Sequence, residues 1–238
     1  MTNLSQQTLA EIVTNDHRTA GVLEKYSLDF CCKGKRTLTD ACAEKGLSVD
    51  NILAELQPVL EMPVQRQLPF TEMSGEQLVS YIVTHHHYYV KQIMPQLLLH
   101  LHKVATKHGS RFPFMVEVFN LFTSVQEEMT LHMQKEERIL FPAIIKAEQA
   151  FTNNDNAAMA CSVINGAVLV MEKEHDEAGE LMTSIHQLTN GYQPPADACN
   201  TFRLSLAELK EFEEDLHRHV HLENHILFPM AATFCSEF

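Results

Sequence analysis

The sequence predicts an all-α protein, an up-down four-helix bundle preceded by a small helical unit. Three observations carry this. Glycine is sparse, 8 among 238 residues, and alternating strand-like runs are hard to find. Apolar residues recur at three- and four-residue steps through four long segments. Turn signals separate those segments: Gly109, the polar run Thr152-Asn153-Asn154-Asp155-Asn156, and Asn190-Gly191 with Pro194 and Pro195 beyond. A chain of this length can form one large or two modest domains with a sizeable core.

Taken in order, residues 1–65 read as a small helical, cysteine-bearing unit, with Ser48 placed to cap its last helix. Such a unit has a marginal core of its own, so it is expected to lean on the bundle or on a second subunit in a homodimer. EMPVQRQLPFTEMS, residues 61–74, is the connecting stretch, with residues 66–73 as the linker and 74–238 as the bundle. The first bundle helix opens on Ser74-Gly75-Glu76-Gln77, a capping-box pattern, and stops near Gly109. Its stripe is Val79, Val83, Val90, Met94, Leu97 and Leu101, and both His86 and His87 fit the gap. The second helix starts around Pro113, acceptable in a first turn, and carries Val118, Leu121, Val125, Met129, His132, Glu136 and Leu140 on one face. The third carries Ile164, Val168, Met171, His175, Ala178, Met182 and Ile185. The fourth runs from about Asp197 with Leu209, Phe212, Leu216, His219, Glu223 and Ile226. Pro95, Pro142 and Pro229 should bend or break their helices locally.

Composition excludes several classes. The formal net charge is −13, from 31 acidic against 18 basic residues, which argues against nucleic-acid binding through neutralised phosphates. No apolar run reaches the roughly 18 residues of a membrane span. The start, MTNLSQQTLAEIVTND, lacks a basic region followed by an apolar core, so a cytoplasmic protein is expected. The 6 cysteines are scattered and are expected to be reduced thiols.

The chemistry sits in a repeat. HMQKEERILFP and HVHLENHILFP share the pattern H-x-x-x-E-x-x-x-x-F-P, once as His132, Glu136, Phe141 and Pro142, and again as His219, Glu223, Phe228 and Pro229. H-x-x-x-E places both groups on one helical face, one turn apart. In an up-down bundle, residues at equal height lie equally far from the turn between them. The midpoint of His87 and His132 falls at Gly109-Ser110, that of His132 and His175 at Asn153-Asn154, and that of His175 and His219 just past Pro194-Pro195. These histidines should therefore share one layer, across helix axes roughly 8–10 Å apart. Four imidazoles and two carboxylates exceed the four ligands of one tetrahedral zinc. They suit a pair of transition-metal ions with terminal histidines, bridged by Glu136 and Glu223. Ferritin-like bundles use Glu-x-x-His pairs, a related plan with different spacing. The remaining histidines, including His85, His100, His102, His108, His217, His221 and His225, are expected to be mostly solvated or to support the ligands; Glu174 is a candidate relay beside His175.

A second chemical stretch is Asp29-Phe30-Cys31-Cys32-Lys33-Gly34-Lys35-Arg36. Adjacent cysteines rarely bridge each other. The three cations should lower thiol pKa values and favour reactive thiolates, and a plain turn with one buried cysteine is the competing reading.

DFCCKG, then H-x-x-x-E-E-x-x-L-F-P, then EHDEAGEL, then HLEN-x-x-LFP, in that order, resemble the repair-of-iron-centres family over nearly the whole chain. That resemblance implies a hemerythrin-like bundle with two non-haem irons behind a ScdA-type N-terminal cysteine domain. Measured back from Met94-Pro95-Gln96-Leu97, it places the first-helix ligand on His87, with His132, Glu136, His175, His219 and Glu223 completing the set. It matches Cys31 and Cys32 to the family's paired cysteines, as redox or iron-transfer thiols. It further implies repair of iron–sulfur clusters after nitrosative or oxidative stress, with damaged or apo iron–sulfur proteins as partners, by iron donation. The alternatives are nitric-oxide reduction or an O2- or nitric-oxide-binding sensor. Hemerythrin typically has a fifth histidine, so this donor set would leave a less saturated, more labile site. A structural zinc bundle is the remaining rival, since affinity trends favour zinc over ferrous iron.

Overall fold

The computed structural model describes residues 4–62 and 69–236, so residues 66–68 of the expected linker lie outside the described ones. The chain is all-α; among the described residues there is no strand, only an isolated bridge between Thr8 and Thr37. It divides into two compact units, Met1–Ser74 with His217–Met230, and Gly75–Leu216 with Ala231–Phe238.

In the first unit, helices α1 (Leu9–Asn15), α2 (Ala20–Lys25), α3 (Leu38–Lys45) and α4 (Val49–Glu61) enclose Leu9, Ile12, Leu23, Leu38, Ile52 and Leu56. Local chemistry sets their ends. Thr8 and Glu11 form a capping box at α1, the Thr8 hydroxyl accepting from the Glu11 N–H at 3.1 Å and the Glu11 carboxylate from the Thr8 N–H at 2.8 Å. Thr37 caps α3, which ends on Gly46 in the left-handed region. Ser48 occupies the cap position of α4 but its side chain makes no cap hydrogen bond. The same unit contains His217–Met230 of the last bundle helix, and Phe30 packs edge-on against His217 and His221 with ring centroids 5.9 and 5.7 Å apart. The small N-terminal helices thus complete their core with a segment from the far end of the chain.

The second unit holds α5 (Gly75–Tyr81), α6 (Tyr88–His108), α7 (Phe114–Lys135), α8 (Phe141–Asn153), α9 (Ala158–Leu188), the body of α10 (Asn200–Leu222) and most of α11 (Phe228–Phe234). Short connections reverse the chain at Gly109, at Asn154 in left-handed backbone, and at Asn190–Tyr192. Leu97, Val118, Val125, Met129, Ile164, Met182, Leu209 and Phe212 are buried, on the interior faces expected from periodicity, whereas Leu121 of the expected stripe is half-buried and its neighbour Phe122 takes the core position. Phe122 and Phe212 meet edge-to-face at 5.1 Å. Glu148 of α8 accepts the N–H groups of Gly75 and Glu76 at 2.7 and 2.9 Å, a carboxylate placed where the α5 dipole favours it.

One expectation is sharpened and another corrected. At Pro142 and Pro229 the expected local disturbance takes the form of a π-helical turn just before each proline, Glu136–Leu140 and Glu223–Leu227. Proline removes a hydrogen-bond donor and crowds the carbonyl four residues back, and the wider π register relieves both effects. Pro95 is carried inside α6. The six cysteines are not all reduced: Cys161 and Cys235 form a disulfide within the second unit, their Cα atoms 5.5 Å apart across 74 residues of sequence. Nothing in their spacing signals the pairing, which depends on the start of α9 meeting the residues after α11.

Candidate metal centre

Each expected ligand lies on a helix whose apolar stripe buries it. His87, Glu136, His219 and Glu223 are 0% exposed, and His132 and His175 are 1% exposed. Three of the four helices leave α register at their ligands. His87 ends the π turn Ile82–His87, and Glu136 and Glu223 begin the other two. Inserted π turns redirect side chains and concentrate at functional sites.

In the second unit, Glu136 Oε2 lies 3.3 Å from both His87 Nε2 and His132 Nε2, and the Nε2 atoms of His132 and His175 are 3.0 Å apart. In the last helix, His219 Nε2 and Glu223 Oε1 are 2.9 Å apart, one turn from each other as the spacing required. The donor atoms form two groups. His87, Glu136, His219 and Glu223 make one; His132, Glu136, His175 and Glu223 make the other, with all atoms of each group within 4.8 Å. Glu136 and Glu223 are common to both.

This donor set fits a metal ion. Cis ligands about 2.1 Å from one ion are separated by about 3 Å, the spacing seen between these converging nitrogens and oxygens. Burying carboxylates costs several kcal/mol unless charge is compensated, and a cation does that directly.

The opposite ring nitrogens are also held. His87 Nδ1 is 2.7 Å from Glu137 Oε1, which also accepts from Lys91 Nζ at 2.6 Å. His132 Nδ1 is 3.0 Å from Glu174 Oε2, and Lys135 pairs with the same carboxylate. Imidazoles donating from Nδ1 to these carboxylates present the Nε2 lone pair to the cluster. His132, then Lys135, pull Glu174 down to about 2 against the opposing effect of burial. Burial raises the Glu137 pKa, but Lys91 and His87 outweigh it and leave it below the usual range. Glu174, the candidate relay, is therefore favoured as a carboxylate and hydrogen-bonds to His132. Glu137 was missed: it sits beside Glu136 in sequence, and nothing in its spacing announces His87.

His86, tied with His87 by periodicity, is directed elsewhere, with Nδ1 3.0 Å from Asp215 Oδ1. His221, expected among the solvated histidines, is instead 3% exposed, bonded to the Thr14 hydroxyl at 3.2 Å; burial, then His225, pushes it down to about 3.

Cys31 and Cys32 lie in the first unit, Cys31 buried and Cys32 half-buried. The expectation that the flanking cations would lower both thiols fails for Cys31. Its contact with the Cys32 thiol, and then burial, push it well above the ordinary thiol range. Burial raises the Asp29 pKa, but hydrogen bonds from the Cys32 and Lys33 N–H groups bring it below the usual value. Asp29, Cys31 and Cys32 themselves offer ligand atoms within 4.8 Å of one another.

A family model described as the hemerythrin HHE cation binding domain matches residues 78–231, and ScdA_N, described as a domain of unknown function (DUF542), matches residues 5–60. The chain is 36% identical over 228 residues to the iron-sulfur cluster repair protein YtfE of Escherichia coli O81 (strain ED1a), covering 94% of this chain and 96% of that protein. The same figures hold for proteins of that name from Escherichia coli O1:K1 / APEC and from Escherichia fergusonii.

Proposed function

Because this chain, with its ScdA_N segment ahead of a hemerythrin domain, belongs to the repair-of-iron-centres family of iron–sulfur cluster repair proteins, we propose that it is a di-iron protein that restores damaged iron–sulfur clusters by donating iron. What supports this reading is the convergence of four buried imidazoles and two buried carboxylates in two groups that share Glu136 and Glu223. His87, His132, His175 and His219, with Glu136 and Glu223 common to both groups, would hold two iron ions. Imidazole with carboxylate suits iron, and only two carboxylates and four histidines leave positions open to exchange.

When bound, the iron pair supplies Lewis acidity, redox capacity and an exchangeable ion. The chain's own residues do the rest. Glu137 and Glu174 fix the ring orientation of His87 and His132, and Lys91 and Lys135 balance those carboxylates. Burial of all six donors keeps bulk water from competing for them. The recipient would be a damaged or apo iron–sulfur protein in the cytoplasm, with Cys31 and Cys32 assisting transfer. Residues 1–65 would form the thiol-bearing domain, 66–73 the linker and 74–238 the iron-holding bundle.

The test is metal content of protein purified without added metal, followed by iron transfer to an apo acceptor. About two irons per chain, with activation of the acceptor, is expected. Zinc alone, or a folded chain that holds no metal, would withdraw the proposal.

A further inference from the structure

Asp29, Cys31 and Cys32 lie on one short loop, and that loop is held rigidly within the first unit. Asp29 Oδ1 accepts the N–H groups of Cys31, Cys32 and Lys33 at 3.2, 2.9 and 3.3 Å. The Cys31 carbonyl accepts from Asn224 Nδ2 at 3.2 Å and lies 2.7 Å from His225 Nε2. Gly34 closes the loop where no side chain fits: an added Cβ would meet the Phe30 carbonyl at 2.1 Å and His225 Nε2 at 2.8 Å. The consequence is that two adjacent thiols point the same way. Their sulfurs are 3.6 Å apart, and Cys31 Sγ is 3.3 Å from Asp29 Oδ1.

That sulfur–sulfur distance is far beyond the roughly 2.0 Å of a disulfide, and adjacent cysteines strain to form one. It matches thiolates sharing one ion. Two sulfurs about 2.3 Å from a tetrahedral centre lie about 3.8 Å apart. We propose that Asp29, Cys31 and Cys32 form a mononuclear site for a thiophilic divalent ion, of the class of zinc or ferrous iron, with a fourth position left open. Loading releases one proton from each thiol to solvent, and no electron moves. Half-exposed Cys32 leaves a side from which an ion can enter. An open position on a thiolate site permits exchange, whereas a fully closed set of four is the mark of a structural zinc. The site uses none of the bundle's histidines, so it stands or falls apart from the di-iron reading.

The experiment is Co2+ titration of the full-length, metal-free protein, followed by near-ultraviolet absorption. Imidazole and carboxylate give no thiolate-to-cobalt charge-transfer band, so cobalt in the bundle does not mimic the signal. A thiolate band displaced by Zn2+ is expected, saturating at one equivalent once the bundle site is removed. It should persist in Glu136→Ala/Glu223→Ala and disappear in both Cys31→Ser and Cys32→Ser. Asp29→Asn should weaken cobalt affinity by about tenfold or more. Far-ultraviolet circular dichroism checks that each variant is folded. Absence of a thiolate band in the unmodified chain overturns the proposal without any variant; so does a band that survives Cys31→Ser/Cys32→Ser.

Discussion

The histidine–carboxylate cluster and the Asp29–Cys31–Cys32 loop gather metal-capable atoms by opposite routes. The first takes one or two side chains from each of four long helices, with His87 and Glu223 at its extremes in sequence, and buries all of them. The second takes three side chains from one loop and fixes them with backbone N–H groups donating to Asp29. A bundle interior can hold two carboxylates only against a compensating charge, so its donors are set to receive a cation. The loop holds its thiols in place whether or not an ion is present, by local hydrogen bonds and the absence of a side chain at Gly34. Burial thus gives the first cluster a strong electrostatic reason to take up a cation, while chain geometry merely readies the second.

Changes confined to one cluster should leave the other intact. Glu136→Ala with Glu223→Ala removes both shared carboxylates and should reduce bundle iron to background while the chain stays helical, as read by elemental analysis and circular dichroism. Full occupancy in that variant would sink the six-donor assignment. Removing the disulfide as Cys161→Ala/Cys235→Ala should lower stability in urea by on the order of 4 kcal/mol, from loop closure over 74 residues, with no change in thiolate–cobalt absorption. Gly34→Ala forces a Cβ against the Phe30 carbonyl and should cost about 1–3 kcal/mol, speeding hydrogen exchange in the 30–36 loop while iron content holds. Glu137→Gln keeps the shape but weakens the anchor of His87; iron affinity should fall about 10- to 100-fold, measured by chelator competition, with the fold unchanged.

The gentlest probe is pH. The Asp29 pKa in the folded chain lies below that in the unfolded chain, so the unfolded state binds its proton first on acidification. Its contribution to stability is present above the ordinary carboxylate range and is lost as pH falls through its folded pKa. Asp29→Asn should flatten the acid limb of the denaturation curve, and an unchanged limb would show that the loop does not depend on that carboxylate.

Much of this was legible beforehand because helical periodicity constrains both packing and chemistry. A histidine and a glutamate four residues apart must share a face, and three midpoints falling at turns put the four histidines in one layer. The tie between His86 and His87 could not be broken by spacing, since both lie near the stripe; in the structure His87 joins the Glu136 group while His86 turns to Asp215. The π turns at Glu136 and Glu223 were hidden for a related reason. Phe-Pro announces a disturbance, but proline chemistry alone does not say whether a helix kinks, stops or widens.

By itself, then, the sequence determined the all-α class, the four bundle helices and the histidines and glutamates that are candidates to bind metal, because 3.6-residue periodicity, capping and turn chemistry act over a few residues. Tertiary structure decided what depends on distant segments meeting. It gave Nδ1 of His87 to Glu137 and Nδ1 of His132 to Glu174, joined Cys161 to Cys235, and buried His221 against Thr14 and Phe30. It also reversed the expected acidity of Cys31. Lys33, Lys35 and Arg36 are close in sequence, but the Cys32 thiol in contact and then burial set the direction of the shift.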